Sequence, residues 1–240
     1  MGKAVRPYVG VPEARRQEIA ELAEFIADDH CPEGCVNPGL IAKRKGITIS
    51  YGHYREAFDG LLEHCSGKFH IYCNLEEQEA DHFASNLLMP KKRFLRSAKR
   101  KPPGIEGIIA MAREFNTSVT STAIRYASLE VRPCFVLKWS AFGFHWKWLS
   151  TSTRLANYRK TIEEPSAVVS GSATAKALAG EDVPAIGFFQ TGTTASAWFP
   201  FVSEETRRNI ILIEQAMPLG RFGVLTFIYP ETGDFLPELI

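Results

Sequence analysis

The stretch that decides the fold is residues 75–90, LEEQEADHFASNLLMP. Residues that recur at helical spacing fall on one side of a helix, and here those residues are apolar. They are Ala80, Phe83, Ala84, Leu87 and Leu88. Pro90 ends the helix, because proline removes a backbone donor and clashes with the preceding turn. The pattern predicts an amphipathic helix packed on a core.

Two carboxylates border this apolar face. Glu77 and Asp81 lie one turn apart at its margin, whereas Glu79 and His82 point to the polar side. A glutamate backed by an acid four residues later suits a metal ligand held by a hydrogen-bonding partner. In zinc peptidases with an H-E-x-x-H helix, a downstream glutamate completes the ligand set. A second interpretation needs no metal: Asn74 as N-cap and Glu77 at the third helical position form a capping box.

The string from Ala80 to Pro90, ADHFASNLLMP, resembles the A-(N/D)-x-F-A-x-x-L-L-M-P run of the ImmA/IrrE-type zinc metallopeptidase family. Residues 67–74, GKFHIYCN, are similar to the strand before that family's catalytic helix, and the resemblance extends over residues 12–130. It implies zinc, a water-derived nucleophile and cleavage of a peptide bond, often in a transcriptional repressor. The zinc ligand would be Glu77, supported by Asp81, with Glu79 as second choice.

One element of the family pattern is missing from this chain. No H-E-x-x-H occurs, and the catalytic helix of the family would fall between residues 74 and 75, where two predicted elements abut. We therefore expect a catalytically incomplete protein without zinc at the catalytic position. The missing helix also predicts an apolar groove near Ala80, Ala84, Leu88 and residues 69–71. A rearranged segment, a partner or a second copy would fill it, the last by self-association.

A basic segment follows the helix. Residues 91–101, KKRFLRSAKRK, hold seven basic residues and no acid, although the formal net charge of the chain is only +1. A helix-turn-helix-like pair is predicted next, at residues 105–129. These features favour an alternative function, a non-enzymatic DNA- or repressor-binding module in which Lys99, Arg100 and Lys101 contact phosphates and Arg125 reads bases. The other interpretation is a solvated basic helix before a structural pair.

Residues 131–240 read mostly as strands, so the sequence predicts an α+β protein in two domains. Residues 1–130 would be the metallopeptidase-like domain, and residues 131–240 a β-rich domain, which in relatives of that family is GAF- or PAS-like. The four tryptophans all belong to the second domain. Trp139, Trp146, Trp148 and Trp198 either line a ligand pocket or form the core.

The remaining signals concern metal and location. His30, Cys31, Cys35, His64 and Cys65 offer donors for an alternative structural zinc site, although ordinary core thiols and surface imidazoles explain them better. No apolar run approaches the length of a membrane span, and the first residues lack the apolar centre of an export signal. With five cysteines, an odd number, we expect reduced thiols and a cytoplasmic protein without a membrane partner.

Overall fold

The computed structural model describes residues 13–32, 34–51, 60–65, 68–73, 78–140, 143–150, 168–194, 198 and 211–231, and from 49 to 81 it describes the backbone only. Helices accompany a three-stranded and a five-stranded sheet, so the predicted α+β class is confirmed. By internal packing the chain divides into two compact units, Met1–Arg93 and Phe94–Ile240.

The first unit combines three helices with a mixed sheet. Its elements are α1 (Glu13–His30), α2 (Pro38–Arg44), β1 (Ile47–Tyr51), β2 (Gly60–Cys65), β3 (Lys68–Cys73) and α3 (Gln78–Leu88). The central strand β3 pairs with β1 in parallel and with β2 antiparallel, in the order β1-β3-β2. The turn between β2 and β3, at residues 66–67, lies outside the described residues.

Helix α3 packs on α1 through small and apolar side chains. Ala23 and Ala27 of α1 are fully buried and form a cluster with Leu87 of α3 and with Val36. Alanines at this contact let the helix backbones approach closely, while Leu87 and the half-buried Phe83 supply the apolar area. The helix predicted from residue 75 is thus confirmed from Gln78 onward, and the join at residues 74–77 lies outside the described residues.

The second unit is built on an antiparallel sheet. Helix α4 (Lys91–Ala98) leads into it, followed by α5 (Ile105–Phe115), α6 (Val119–Ser128), β4 (Phe135–Ser140), β5 (Gly143–Leu149), α7 (Ala173–Ala179), β6 (Phe189–Thr194), β7 (Ile211–Pro218), a 3-10 turn (Gly220–Phe222) and β8 (Val224–Pro230). The strand order is β5-β4-β8-β7-β6, and every neighbouring pair is antiparallel.

Each face of this sheet is covered by different helices, because successive side chains of a strand point to opposite faces. Phe135, Leu137 and Trp139 of β4 pack with Ala173 and Ala177 of α7 on one face. On the other face the ring of Tyr126 in α6 meets the ring of Phe227 in β8 edge-on, with 5.7 Å between centroids. The sheet is therefore the middle layer of three.

The helical pair α5–α6 belongs by packing to the second unit. The packing division at residues 93/94 consequently falls before the predicted domain boundary at 130/131, since α6 lies against β4 and β5. A sequence boundary drawn where helices give way to strands does not show which sheet those helices cover. The two domains as functional units, 1–130 and 131–240, stay a prediction.

Candidate functional site

The basic segment forms the exposed side of α4 and of the turn that follows it. On the inner side Phe94 is fully buried and packs on the ring of Phe115 in α5, with 5.4 Å between centroids. The hydroxyl of Ser97 donates to the carboxylate of Glu114 at 2.8 Å. These two contacts anchor α4 to α5 and leave the opposite side of the helix to solvent.

The cations of this segment differ in their surroundings. Arg96, Lys99 and Arg100 are exposed. By contrast, Lys101 is bonded to the Glu114 carboxylate and to the Ser97 hydroxyl, with a side chain only 17% exposed. Of the three predicted phosphate contacts, Lys99 and Arg100 are thus at the surface, and Lys101 is committed to an internal ion pair.

The pKa of Glu114 records the strength of this ion pair. Partial burial raises the pKa of the carboxyl, but hydrogen bonds from Lys101 and Ser97 and the nearby charges of Lys101 and Arg100 outweigh it. The net result is a pKa below the ordinary value. The ion pair with Lys101 thus favours the ionised form of Glu114, and together the two side chains fix the end of α4.

Helix α6 does not present the predicted base reader. Arg125 is only 6% exposed and lies on the buried side of α6 with Thr122, Ala123 and Tyr126. Sequence spacing alone suggested a recognition helix, but α6 turns this side toward the protein interior. Arg125 is therefore not accessible to a nucleic acid in this structure, whereas Arg96, Lys99 and Arg100 are exposed.

The side chains predicted as zinc ligands lie outside the described part of the structure. Glu77 lies outside the described residues, and the side chains of Glu79 and Asp81 on α3 do as well. Nε2 of His82 donates to the backbone carbonyl of Arg16 at 3.0 Å. Among the described residues no group of three or more His, Cys, Asp or Glu side chains converges to hold a metal.

The donor set in this chain does not fit a catalytic zinc. Such sites use three protein ligands, and the two histidines of an H-E-x-x-H helix are absent from the sequence. The alternative cysteine site is not decided, because the side chains of His64 and Cys65 lie outside the described residues. Cys31 is half-buried and Cys35 is exposed. The groove predicted beside α3 likewise stays a prediction: Ala84 and Leu88 are half-buried, and the other side chains are not described.

A buried chain of hydrogen-bonded polar side chains lies between α7 and the sheet. The sequence analysis did not predict it. Glu214 of β7 is fully buried, and one of its oxygens accepts from the backbone N–H and the hydroxyl of Thr174, both at 2.8 Å. The hydroxyl of Thr226 in turn donates to that of Thr174 at 2.6 Å and accepts from Nε1 of Trp139 at 3.1 Å. Nε1 of Trp198 donates to the other Glu214 oxygen at 3.1 Å.

The tryptophans therefore have different roles. Trp139 and Trp198 belong to the core and donate into the polar chain, as the core interpretation predicted. Trp146 is half-buried and lines an open cavity of about 660 Å³, to which Trp139 contributes one edge. Trp148 is 38% exposed. The sequence did contain an indication that Glu214 is buried: it is a lone acid within the mostly apolar strand ILIEQAMP.

Comparison with known proteins gives a fold likeness and no family. No protein-family model matches the chain, and no curated protein matches it. A solved structure described as a Mycobacterium tuberculosis transcriptional regulator superposes with a TM-score of 0.54 at 11% identity. The match covers 89% of this chain and 76% of that one, so it shows a shared fold. The resemblance to ImmA/IrrE peptidases rests on the motif at residues 80–90.

The described helices include none that is both long and apolar enough to cross a membrane.

Proposed function

We propose that this chain is a transcription-regulatory module that binds duplex DNA through the cationic surface of α4 and its following turn. The single observation that carries the proposal is the common exposure of Arg96, Lys99 and Arg100. Positions 96, 99 and 100 are three and four residues apart, and helical hydrogen bonding continues from Lys99 N–H to the Leu95 carbonyl at 3.2 Å. At that spacing the three cations share one side of the helix.

The chemistry of this surface favours the phosphate backbone rather than a particular base sequence. Lysine and arginine side chains that neutralise phosphates release bound counterions, which gives salt-dependent binding without sequence preference. Arg125, the residue predicted to read bases, is buried. The fold likeness to a transcriptional regulator supports a regulatory role for this binding.

The second unit would supply the regulation. Its five-stranded antiparallel sheet with a helix on each side is in keeping with the GAF- or PAS-like sensor domain expected from the resemblance. Domains of this kind place a ligand-responsive element beside an output element. In this proposal α4 and α5 are the output, because the Phe94–Phe115 and Ser97–Glu114 contacts fix the cationic helix to the unit.

The test is a salt titration of binding to a labelled duplex of arbitrary sequence, followed by fluorescence anisotropy. Three phosphate contacts predict a slope of log affinity against log salt of about −2.7, or roughly a 40-fold loss between 50 and 200 mM salt. The double variant Lys99→Gln/Arg100→Gln should reduce the slope to about −0.9. Lys101 is left unchanged, because its ion pair with Glu114 is close and largely shielded from solvent, whereas Arg100 lies 4.0 Å from Glu114 with a side chain that is 66% exposed.

A matched control removes the same charge elsewhere. Lys43 and Lys45 are exposed near the end of α2, so Lys43→Gln/Lys45→Gln alters net charge equally without touching α4. This variant should keep the slope of the unaltered protein. Equal loss in both double variants would indicate a response to net charge, and no binding at 50 mM salt would overturn the proposal.

This proposal includes no catalytic zinc and no cleavage of a repressor. Its support is the donor set, which lacks the two histidines of the peptidase motif. Metal analysis of protein purified without chelator provides the check, with Glu77→Ala as the diagnostic variant. Near-stoichiometric zinc that disappears in Glu77→Ala would restore the peptidase interpretation, whereas zinc lost in Cys31→Ser would indicate the cysteine site.

A further inference from the structure

An open cavity of about 660 Å³ lies within the second unit, on the side of the sheet away from α7. The start of α6, the β4–β5 hairpin and the 3-10 turn between β7 and β8 enclose it. Its size is that of a small-molecule site, which typically spans 300–1,000 Å³. The DNA-binding proposal makes no use of it.

Two aromatic residues from different elements line this cavity. Trp146 of β5 is half-buried, and Phe222 of the 3-10 turn is 64% exposed. The guanidinium of Arg221 lies over the Phe222 ring, 4.9 Å from its centroid. A large apolar ring left this accessible beside a cavity is a surface available for stacking with a flat ligand.

Three basic side chains line the same cavity: Lys138, His145 and Arg221. Lys138 and Trp146 are cross-strand partners, so the ammonium group and the indole ring share one face of the hairpin. Burial lowers the pKa of Lys138 below its ordinary value. The described residues that line the cavity include no Asp or Glu, so the cations meet no opposite charge within its walls.

Two backbone features position the side chains that line the cavity. A β-bulge between Lys138 and Trp139 leaves His145 without an opposed residue and exposes its ring at the cavity. Bulges of this kind re-aim a side chain and are frequent beside functional sites. Gly223 holds the 3-10 turn against β4: a Cβ at this position would lie 2.0 Å from the Trp139 carbonyl oxygen, and its φ is +84°.

We infer that this cavity is a binding site for a small organic anion that carries a planar apolar ring system. The ring would insert between Trp146 and Phe222, while the anionic group would accept hydrogen bonds from Lys138 and Arg221. An anion there offsets the partial burial of the Lys138 ammonium, and the described lining residues include no carboxylate that would do so. This inference does not depend on DNA binding, and each can fail alone.

The probe is 8-anilinonaphthalene-1-sulfonate, an aromatic anion with a planar naphthalene ring system, whose fluorescence increases on binding. Its uncharged counterpart, N-phenyl-1-naphthylamine, has the same rings without the sulfonate. The full-length protein should bind the sulfonate saturably at one site, and more tightly than the neutral compound. Lys138→Gln and Arg221→Gln should each weaken sulfonate binding about tenfold, the loss of one charge-assisted hydrogen bond, with the neutral compound unaffected.

Two further variants separate this site from general apolar binding. Phe222→Ala should weaken both compounds, because it removes one wall of the cavity. Lys176→Gln removes a charge on α7, on the other face of the sheet, and should change neither. Equal affinities for the two compounds, or sulfonate binding that Lys138→Gln and Arg221→Gln leave unchanged, would overturn the inference.

Discussion

Glu214 and Gln215 are neighbours on β7, yet they cap helices on opposite faces of the sheet. An oxygen of Glu214 accepts the backbone N–H of Thr174 in the first turn of α7 at 2.8 Å. The side-chain oxygen of Gln215 accepts the N–H of Ile105, the first residue of α5, at 2.6 Å. One strand thus satisfies a backbone donor at the start of a helix in each outer layer.

The chemistry of the two caps differs because their surroundings differ. Around Glu214 the described partners are all donors, including Nε1 of Trp198, so an acceptor-only carboxylate fits. Gln215 must also donate, since its Nε2 gives a hydrogen bond to the side-chain oxygen of Gln190 at 2.7 Å. A carboxylate at position 215 would set two acceptors against each other. Whether each cap is charged or neutral therefore follows from the other hydrogen-bond partners of its side chain.

The largest expected effect is at the charged cap. Glu214→Ala would leave the N–H of Thr174 and Nε1 of Trp198 buried without their acceptor, at about 1–3 kcal/mol each. The free energy of unfolding should fall by about 3–5 kcal/mol in total, measured by denaturant titration with tryptophan fluorescence. All four tryptophans belong to the second unit, so this signal reports on it.

Glu214→Gln is the matched control for that prediction. Glutamine keeps one side-chain acceptor for Thr174 but places an N–H₂ group opposite Nε1 of Trp198. Its loss should be smaller than that of the alanine variant. A change below about 1 kcal/mol in Glu214→Ala would show that the charged cap contributes no more than an exposed hydrogen bond.

The neutral cap, Gln215, should contribute less to the free energy of unfolding than Glu214 does. Gln215→Ala removes the acceptor of Ile105 N–H and should lower the free energy of unfolding by about 1–2 kcal/mol. Gly104→Ala attacks the same contact, because its Cβ would lie 2.2 Å from the Gln215 side-chain oxygen at a φ of +87°. We expect about 1–3 kcal/mol from the backbone strain alone, because a φ of 87° with a ψ of −161° is accessible almost only to glycine.

The two substitutions should not be additive. Once Gln215 is alanine, the Cβ at position 104 no longer meets a side-chain oxygen, so the double variant should lose less than the sum of the single losses. The measurement is a double-mutant cycle by the same denaturant titration. Additive losses would mean that Gly104 is required only for its φ and not for its contact with Gln215.

The smallest expected effect is at Glu114, a carboxylate with partly exposed surroundings. Its pKa is lowered in the folded protein, so its stabilisation is present above the unfolded pKa and is lost as the pH falls through the folded pKa. Glu114→Gln should reduce stability at neutral pH by at most about 1 kcal/mol, since solvent screens the pair with Lys101. Thermal unfolding from pH 7 to about pH 3 should show the two proteins converging in acid. A constant difference would contradict an electrostatic origin.

Much of the secondary structure could be predicted because its signals are local. The helical pair α5–α6 was predicted at residues 105–129, and strands were predicted over most of residues 131–240, where β4 to β8 lie. Helix α7 was missed: its sequence, ATAKALA, is short and made of small residues without a clear apolar stripe. Its ends are nevertheless marked, by the N-cap Ser172 and by Gly180 at a φ of +72°.

The site residues were harder to predict, since their roles depend on distant partners. In the sequence Lys99, Arg100 and Lys101 are equivalent cations, and only the packing of α4 on α5 commits Lys101 to Glu114. Arg125 lies on the second helix of the pair, where a base-contacting residue was expected. The sheet beneath α6 determines which face of the helix is buried, and that face includes Arg125. The cavity joins Lys138 to Arg221, and no local pattern connects residues from different strands and turns.

The adjacent caps on β7 also determine how this strand must be aligned with its neighbours. A slip of one residue would turn every side chain of β7 to the opposite face. A slip in one direction would place Glu214 at the start of α5, and a slip in the other would place Gln215 opposite the Trp198 N–H; in neither case would both caps have their own residue. Both outer layers would lose a matched acceptor at once, so a misaligned sheet would lose the stabilisation of two helix starts. The pair thereby selects one strand register during folding, in addition to stabilising the finished structure.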